Sequence, residues 1–113
     1  MAAAYVPDEG DIIRLNFTPQ SGHEQTGRRP AVVLSPKAYN RRTGLLICVP
    51  ITKQIKGYPF EVLLTGSGAT GAALADQIKS LDWKVRQAES KGRATPVEIN
   101  DIKAKIRALL KLV

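Results

Sequence analysis

The sequence contains very little of what a disulfide-stabilised or metal-binding protein needs. It has one cysteine and one histidine among 113 residues. A single cysteine forms no internal disulfide, and one His with one Cys is too few for a typical transition-metal site. Cys48 stands in the apolar run LLICVPI, where a cysteine is usually an inert core residue. We therefore expect no metal or other cofactor, and a reduced, cytoplasmic setting.

Long apolar runs are also missing. No run approaches the ~18 apolar residues that suggest a membrane-spanning helix. The first residues, MAAAYVPDEGD, reach acidic side chains before an apolar segment of the secretory kind forms. Together with the length, this predicts a soluble protein without a membrane partner, folded as one domain over residues 1–113.

Acidic residues are absent from a long central span. No Asp or Glu lies between Gln25 and Phe60, although the formal net charge is +7. The basic residues in this span are Arg28, Arg29, Lys37, Arg41, Arg42, Lys53 and Lys56. Tyr39 and Tyr58 are interleaved with them, and aromatic rings beside phosphate-binding cations are typical of single-strand binding. The span therefore favours a nucleic-acid partner over a merely solvated basic face.

Short apolar segments predict a mainly β fold. The strand candidates are DIIRLNF (11–17), RPAVVLS (29–35), LLICVPI (45–51) and FEVLLT (60–65). AALADQIKSLDW (72–83) has mixed signals, and we interpret it as a further strand. PKAYNRRTG is interpreted as a connection with one helical turn at most.

The last segment predicts a helix. Thr95-Pro96-Val97-Glu98 is a capping box with Pro at the first helical position. An apolar stripe at helical spacing follows, formed by Ile99, Ile102, Ile106, Leu109, Leu110 and Val113. We expect a small, mostly antiparallel β-barrel with α decoration, on which this C-terminal helix packs.

Two familiar catalytic motifs do not apply. Residues 66–71, GSGATG, match G-x-G-x-x-G, but no βαβ unit surrounds them, so we interpret them as a hairpin loop. A G-x-S-x-G motif is absent, and Cys48 lies in a core strand rather than at an exposed site.

RNA cleavage fits the remaining residues, because the 2′-hydroxyl of RNA is itself a nucleophile. An enzyme must deprotonate it, stabilise the charge added at phosphorus and protonate the leaving 5′ oxygen. Arg29 suits the second role, since its planar fork meets two phosphate oxygens and the apolar strand after it fixes its position. Glu24 or His23 is a candidate acid–base group. An ordinary loop residue at His23 and a surface ion pair between Glu24 and Arg28 are the alternatives.

Four segments resemble one known family. YVPDEGDIIRLNF, GHEQTGRRPAVVLSP, CVPITKQIKGYPFEV and ALADQIKSLDW are similar, in this order, to the MazF/PemK family of toxin ribonucleases. The resemblance implies an SH3-like β-barrel, related in fold to the gyrase poison CcdB, and a homodimer. It also implies metal-independent cleavage of single-stranded RNA to 2′,3′-cyclic phosphate and 5′-hydroxyl ends, which stops translation. The implied partner is a MazE-like antitoxin whose acidic C-terminal segment covers the RNA-binding surface.

The same resemblance assigns site residues. The family's catalytic arginine falls on Arg29 and its catalytic threonine on Thr52, with Glu24 as a third candidate in the loop motif. Positions expected along the RNA path fall on Phe17, Arg28, Asn40, Lys56, Tyr58, Gln77 and Lys79. Lys53 departs from the family pattern, because a small or uncharged residue is more usual beside the threonine.

Two other functions compete with the ribonuclease. A non-catalytic toxin of the same barrel fold would bind a protein such as DNA gyrase and inhibit supercoiling without cutting RNA. A nucleic-acid-binding module without activity would bind RNA in a salt-sensitive manner and leave it intact.

Overall fold

A mainly antiparallel sheet and a terminal helix make up the computed structural model, which describes residues 4–17, 27–65 and 70–113. The elements within these ranges are β1 (Asp11–Asn16), β2 (Arg28–Val33), α1 (Lys37–Thr43), β3 (Leu45–Thr52), β4 (Glu61–Leu64), β5 (Gly71–Leu74), β6 (Lys79–Asp82), β7 (Glu89–Arg93) and α2 (Pro96–Leu110). The strand order is β4-β5-β3-β2-β1-β7, and β6 also pairs with β3. No helix in the described ranges is long and apolar enough to cross a membrane.

Strand β3 is the centre of the sheet. One of its edges pairs with β2, with Ala31 opposite Pro50 and Val33 opposite Cys48. The other edge is shared, because β6 pairs with its first half and β5 pairs with Ile51 and Thr52 at its end. The last residues of β3 are therefore fixed by neighbouring strands rather than by a loop.

Both faces of the sheet are buried, which explains why its central strands are nearly continuous apolar runs. Alternate residues point to opposite faces. One face packs against α2 and contains Ile12, Val32, Val49, Ile51, Val62, Leu64, Ala73, Ala75, Ala94 and Ile102. The other contains Ile13, Leu15, Ala31, Val33, Leu46, Cys48 and Trp83. Burial of each large aliphatic side chain contributes about 1.5–3 kcal/mol.

The capping box predicted for the terminal helix is present. The Thr95 hydroxyl accepts from the Glu98 N–H, and the buried Glu98 carboxylate accepts from the Thr95 N–H. Glu98 also accepts from the N–H and hydroxyl of Thr65 at the end of β4. One carboxylate therefore ties the helix start to the sheet.

Acidification should weaken this connection. Burial by itself raises the pKa of Glu98, but the hydrogen bonds from Thr65 and Thr95 outweigh it and hold the pKa below its ordinary value of 4.5. A carboxyl whose folded pKa is depressed stabilises the protein above its unfolded pKa and loses that contribution as pH falls through the folded pKa. At neutral pH we expect a larger free energy of unfolding for the wild type than for Glu98→Gln, and we expect this difference to shrink below pH 4.5. Urea unfolding of both proteins at several pH values measures the difference. A difference that does not change with pH would contradict the prediction.

The structure differs from the sequence-based predictions in three segments. Segment 36–44 contains a seven-residue helix, α1, rather than a single turn. Segment 72–83 is two short strands, β5 and β6, separated by a turn. Strand β7 was not predicted, because ESKGR has no apolar alternation and becomes a strand only by pairing with β1. The hairpin loop predicted at 66–71 lies mostly outside the described residues.

Candidate functional site

Arg29 and Thr52 lie at the ends of two neighbouring strands. The β2–β3 pairing ends where Ala31 is opposite Pro50, and each of the two residues lies two positions beyond that pair, within the bounds of its strand. Beyond the pair, Arg29 is held by β1 and Thr52 by β5. Residues two apart on a strand share a face, so Arg29 and Thr52 lie on the face that Ala31 and Pro50 share. A guanidinium and a hydroxyl thus belong to neighbouring strand ends on one face of the sheet.

The backbone of Arg29 is fixed on both sides. It pairs with Leu15 of β1, while the next residues of β2 enter the buried core. Its side chain is exposed. The sequence argument that a rigid strand presents this arginine to solvent agrees with this placement.

Arg28 holds three strands together. Its guanidinium donates to the Asn16 side chain (3.3 Å), to the Arg14 and Gln87 carbonyls (3.3 and 3.0 Å) and to the Glu89 carboxylate (2.9 Å). These contacts link the start of β2 to β1 and β7. The guanidinium therefore has a structural role, and its contact with RNA stays a prediction.

A small polar cavity adjoins Thr52. It has a volume of about 110 Å³ and is lined by Thr52, Gln54, Lys56, Tyr58, Glu61 and Leu74. The Thr52 hydroxyl accepts from the Gln54 N–H (3.1 Å), so the loop turns directly beside it. The cavity brings Lys56 and Tyr58, two predicted RNA contacts, next to the predicted catalytic threonine.

Glu61 shapes the loop that lines this cavity. Its two carboxylate oxygens accept from the N–H groups of Lys56 (3.0 Å) and Gly57 (2.8 Å). Gly57 has φ +80°, a conformation that glycine adopts without strain. A carboxylate at the start of β4 thus fixes the backbone on which Lys56 and Tyr58 are carried.

Tyr58 connects this loop to the β5–β6 turn. Its hydroxyl donates to the Asp76 carboxylate (2.9 Å), and this hydrogen bond raises the pKa of Tyr58. Gln77, another predicted RNA contact, is the exposed neighbour of Asp76. The tyrosine therefore stays protonated at neutral pH, and its hydrogen bond joins the loop that lines the cavity to the turn that contains Gln77.

Lys79 lies on the same face of the sheet as Arg29 and Thr52. It is opposite Cys48 in the β3–β6 pairing. Cys48 is two residues before Pro50 on β3 and is therefore its neighbour on this face. Burial raises the pKa of Cys48 to about 12, although the charges of Lys79 and Arg86 oppose the shift. The thiol is therefore protonated and buried, as expected of a core residue, while Lys79 is half-buried beside it.

Phe17 directly follows β1 and is half-buried against the core cluster that contains Leu15 and Trp83. The Asn16 and Phe17 carbonyls both accept from the Arg86 guanidinium. Arg86 thus holds the backbone of Phe17, while the ring packs partly on this cluster. The contact of the ring with RNA stays a prediction.

The prediction that the Asn40 side chain contacts RNA is wrong for this structure. Asn40 is completely buried, and its amide oxygen accepts from the Ser35 hydroxyl (2.6 Å). Its amide nitrogen donates to the Pro7 and Ser35 carbonyls (2.8 and 3.1 Å). All of its polar atoms bind protein, so it joins α1 to the N-terminal segment.

Glu24 and His23, the candidate acid–base groups, lie outside the described residues. Sequence reasoning also missed Glu61 and Asp76. Both carry charge next to predicted RNA contacts, yet only the folded loop shows that they hold backbone and hydroxyl groups in place. No spacing in the sequence identifies them.

Similarity to known proteins identifies the family of this chain. Residues 8–110 match the family model described as PemK-like, MazF-like toxin of type II toxin–antitoxin system. The chain therefore belongs to this family of toxins, as the four sequence segments predicted.

Individual relatives cover almost the whole chain. The endoribonuclease toxin MazF of Escherichia coli strain K12 is 56% identical over 110 residues, which are 97% of this chain and 99% of the relative. The endoribonuclease PemK of Escherichia coli is 32% identical, over 91% of this chain and 81% of the relative. A crystal structure of MazE–MazF from Deinococcus radiodurans has a TM-score of 0.87 and 45% identity, covering 97% of this chain and all of that chain. The predicted mainly β barrel-like fold with a C-terminal helix is thereby confirmed.

Proposed function

We propose that this protein is the toxin of a type II toxin–antitoxin system and an endoribonuclease that cuts single-stranded RNA, including mRNA. The observation that supports the proposal is that Arg29 and Thr52 lie on neighbouring strand ends, two residues beyond the last β2–β3 pair, with a polar cavity beside Thr52. The names of its relatives, endoribonuclease MazF and PemK, support the same activity. They fit this function and not the gyrase-binding alternative, which we set aside.

The reaction needs only groups from RNA and protein. The 2′-hydroxyl gives its proton to an acid–base group, for which Glu24 and His23 are the candidates, and its oxygen forms a bond to the adjacent phosphorus. The bond from phosphorus to the 5′ oxygen breaks, and that oxygen takes up a proton. The products are a 2′,3′-cyclic phosphate and a 5′-hydroxyl, so atoms and charge balance without a redox step or a metal.

Arg29 is proposed to stabilise the charge that accumulates on the phosphate oxygens. An arginine keeps its charge at every physiological pH and offers parallel N–H donors, which match two phosphate oxygens. It is also the proposed proton donor to the leaving oxygen. Thr52 donates its hydroxyl hydrogen to the same phosphate, and Glu24 is the proposed third member of the site.

RNA bases are proposed to run over the cavity and the adjacent face. Lys56 and Lys79 supply charge for phosphates, and Arg28 adds to it at the start of β2. Phe17 and Tyr58 offer rings for stacking, and Gln77 offers an amide for a base edge. Lys53, exposed next to Thr52, adds a further cation beside the cut.

The proposed assembly is a cytoplasmic homodimer inhibited by an antitoxin with an acidic C-terminal segment. The solved relatives from Deinococcus radiodurans include MazE–MazF complexes. A net charge of +7 suits an acidic partner that competes with RNA for the same surface.

Cleavage of a long single-stranded RNA in EDTA, with the product ends mapped, tests the proposal. We expect cuts at one short motif, ending in cyclic phosphate, and no cuts in DNA of the same sequence because it lacks the 2′-hydroxyl. Intact RNA after incubation with folded, antitoxin-free protein would contradict the proposal. Loss of activity in EDTA would contradict its metal-independent mechanism.

Glu61 should act on substrate binding as a positioning residue. In Glu61→Gln, an amide NH₂ replaces one acceptor and faces a backbone N–H, which costs about 1–2 kcal/mol of loop stability. We expect KM for RNA to rise up to ~10-fold with kcat nearly unchanged. The charge-matched control is Asp101→Asn on the exposed side of α2, where the carboxylate forms a surface ion pair with Lys105. A fall in kcat at constant KM would contradict this role.

A further inference from the structure

A second group of cations lies at the opposite end of β3 from Thr52. Lys37, Arg41 and Arg42 belong to α1, and Lys84 follows β6 closely. We name these four residues the distal basic surface. All four side chains are exposed.

Trp83 holds the two parts of this surface together. Its indole N–H donates to the Asn40 carbonyl (2.9 Å), and its backbone N–H donates to the Gly44 carbonyl (3.3 Å). The Lys84 ammonium lies over the Trp83 ring, 5.5 Å from its centre. Because Asn40 is itself buried, the end of α1 and residue 84 form one rigid support.

Among the described residues, no ion pair neutralises the charge of the distal basic surface. Within the described part of the chain, the salt bridges involve other cations. The nearby acids bind backbone instead, with Asp82 accepting from the N–H groups of residues 84 and 85 and Asp8 from that of residue 37.

Two cations of α1 lie on the same face of the helix. Lys37 and Arg41 are spaced i,i+4, where like charges repel on a helix face. The first turn of α1 has no acidic residue to offset them. An anionic ligand would remove this repulsion. Tyr39 on the same helix is 38% exposed, so an aromatic ring is accessible beside the cations.

The distance from the candidate site defines what such a ligand must be. Strand β3 runs from Leu45, beside α1, to Thr52. Seven steps of an extended strand span ~23 Å. A small anion at the distal basic surface does not reach the candidate site, whereas an RNA segment several nucleotides longer than the cut motif does.

We propose that the distal basic surface binds the phosphate backbone of RNA that extends beyond the cleaved segment. This inference rests on the proposed function. Backbone contacts carry no sequence information, so the surface increases affinity for long RNA and leaves the cut sequence unchanged. It makes the enzyme prefer long transcripts over short fragments.

The test removes three of the four charges in the variant Arg41→Gln, Arg42→Gln, Lys84→Gln. The control, Lys91→Gln, Lys105→Gln, Lys111→Gln, has the same net charge and alters only exposed or partly exposed cations elsewhere. Initial rates give kcat/KM on a long single-stranded RNA and on a short oligonucleotide confined to the mapped cut motif. NaCl is varied in both series.

We expect the first variant to lose kcat/KM on the long RNA only. Its slope of log kcat/KM against log salt should become shallower by about 2, since each phosphate contact on a single strand contributes about 0.7. The control should keep the wild-type slope. Equal losses on both RNAs, or a wild-type slope in the first variant, would overturn the proposal while cleavage itself stands. If wild type cuts neither RNA, the proposed function fails, and filter binding of the uncut long RNA with the same two variants decides whether the surface binds it.

Discussion

Replacing Arg29 by alanine should abolish RNA cleavage without unfolding the protein. The exposed guanidinium is the proposed stabiliser of charge on the phosphate oxygens, and its backbone is fixed by β1 and the core. Loss of a group that acts mainly in the transition state lowers kcat by about 10³-fold or more. Initial cleavage rates at the mapped motif measure the loss, and thermal unfolding reports whether the fold survives.

The control for this change is Arg29→Lys. A lysine keeps the charge but lacks the planar fork that meets two oxygens, so it should recover only part of the activity. A nearly normal kcat in the Arg29→Ala variant would show that Arg29 takes no part in the reaction. The catalytic site would then lie elsewhere on the basic face.

Replacing Gly71 by alanine should damage both stability and activity. Gly71 has φ +130° and begins β5, whose next residue pairs with Thr52. A Cβ at this position would press into the Thr52 carbonyl oxygen. Backbone strain and overpacking together cost roughly 2–5 kcal/mol. Relief of the clash requires movement of Thr52, so we expect a large loss of kcat as well as a lower free energy of unfolding in urea.

Gly44→Ala is the matched control. Gly44 has φ +75°, but a Cβ there meets nothing within 4 Å. Its substitution should therefore cost only the ~1–2 kcal/mol of backbone strain and leave cleavage intact. Equal stability and equal activity of the two variants would show that the close approach of Gly71 to Thr52 has no functional effect.

The fold was largely predictable because its elements have local signals. The strands β1 to β4 are apolar and β-branched, and the helix α2 has a complete capping box. Strand β7 was not predictable, because Glu89–Arg93 is polar and becomes extended only by pairing with β1, which is far away in sequence. Short elements such as α1 are decided by tertiary contacts, here the buried hydrogen bonds of Asn40.

The candidate site was predictable where a motif fixes a residue on a strand. Arg29 and Thr52 lie at the ends of the neighbouring strands β2 and β3, and their roles in catalysis stay predictions. Asn40 shows the limit of this reasoning. The resemblance assigned it to the RNA path, but its burial is set by the packing of Pro7, Ser35 and Trp83 around it.

The pairing of β7 with β1 has a consequence for synthesis of the protein. Chains emerge from the ribosome from the N-terminus. Strands β1 to β3 therefore appear long before Gln87 and Glu89, which hold the Arg28 guanidinium beside Arg29. The arginine pair reaches its final arrangement only when the chain has grown past β7. We therefore expect RNA cleavage from chains that have been synthesised past β7, and none from shorter nascent chains.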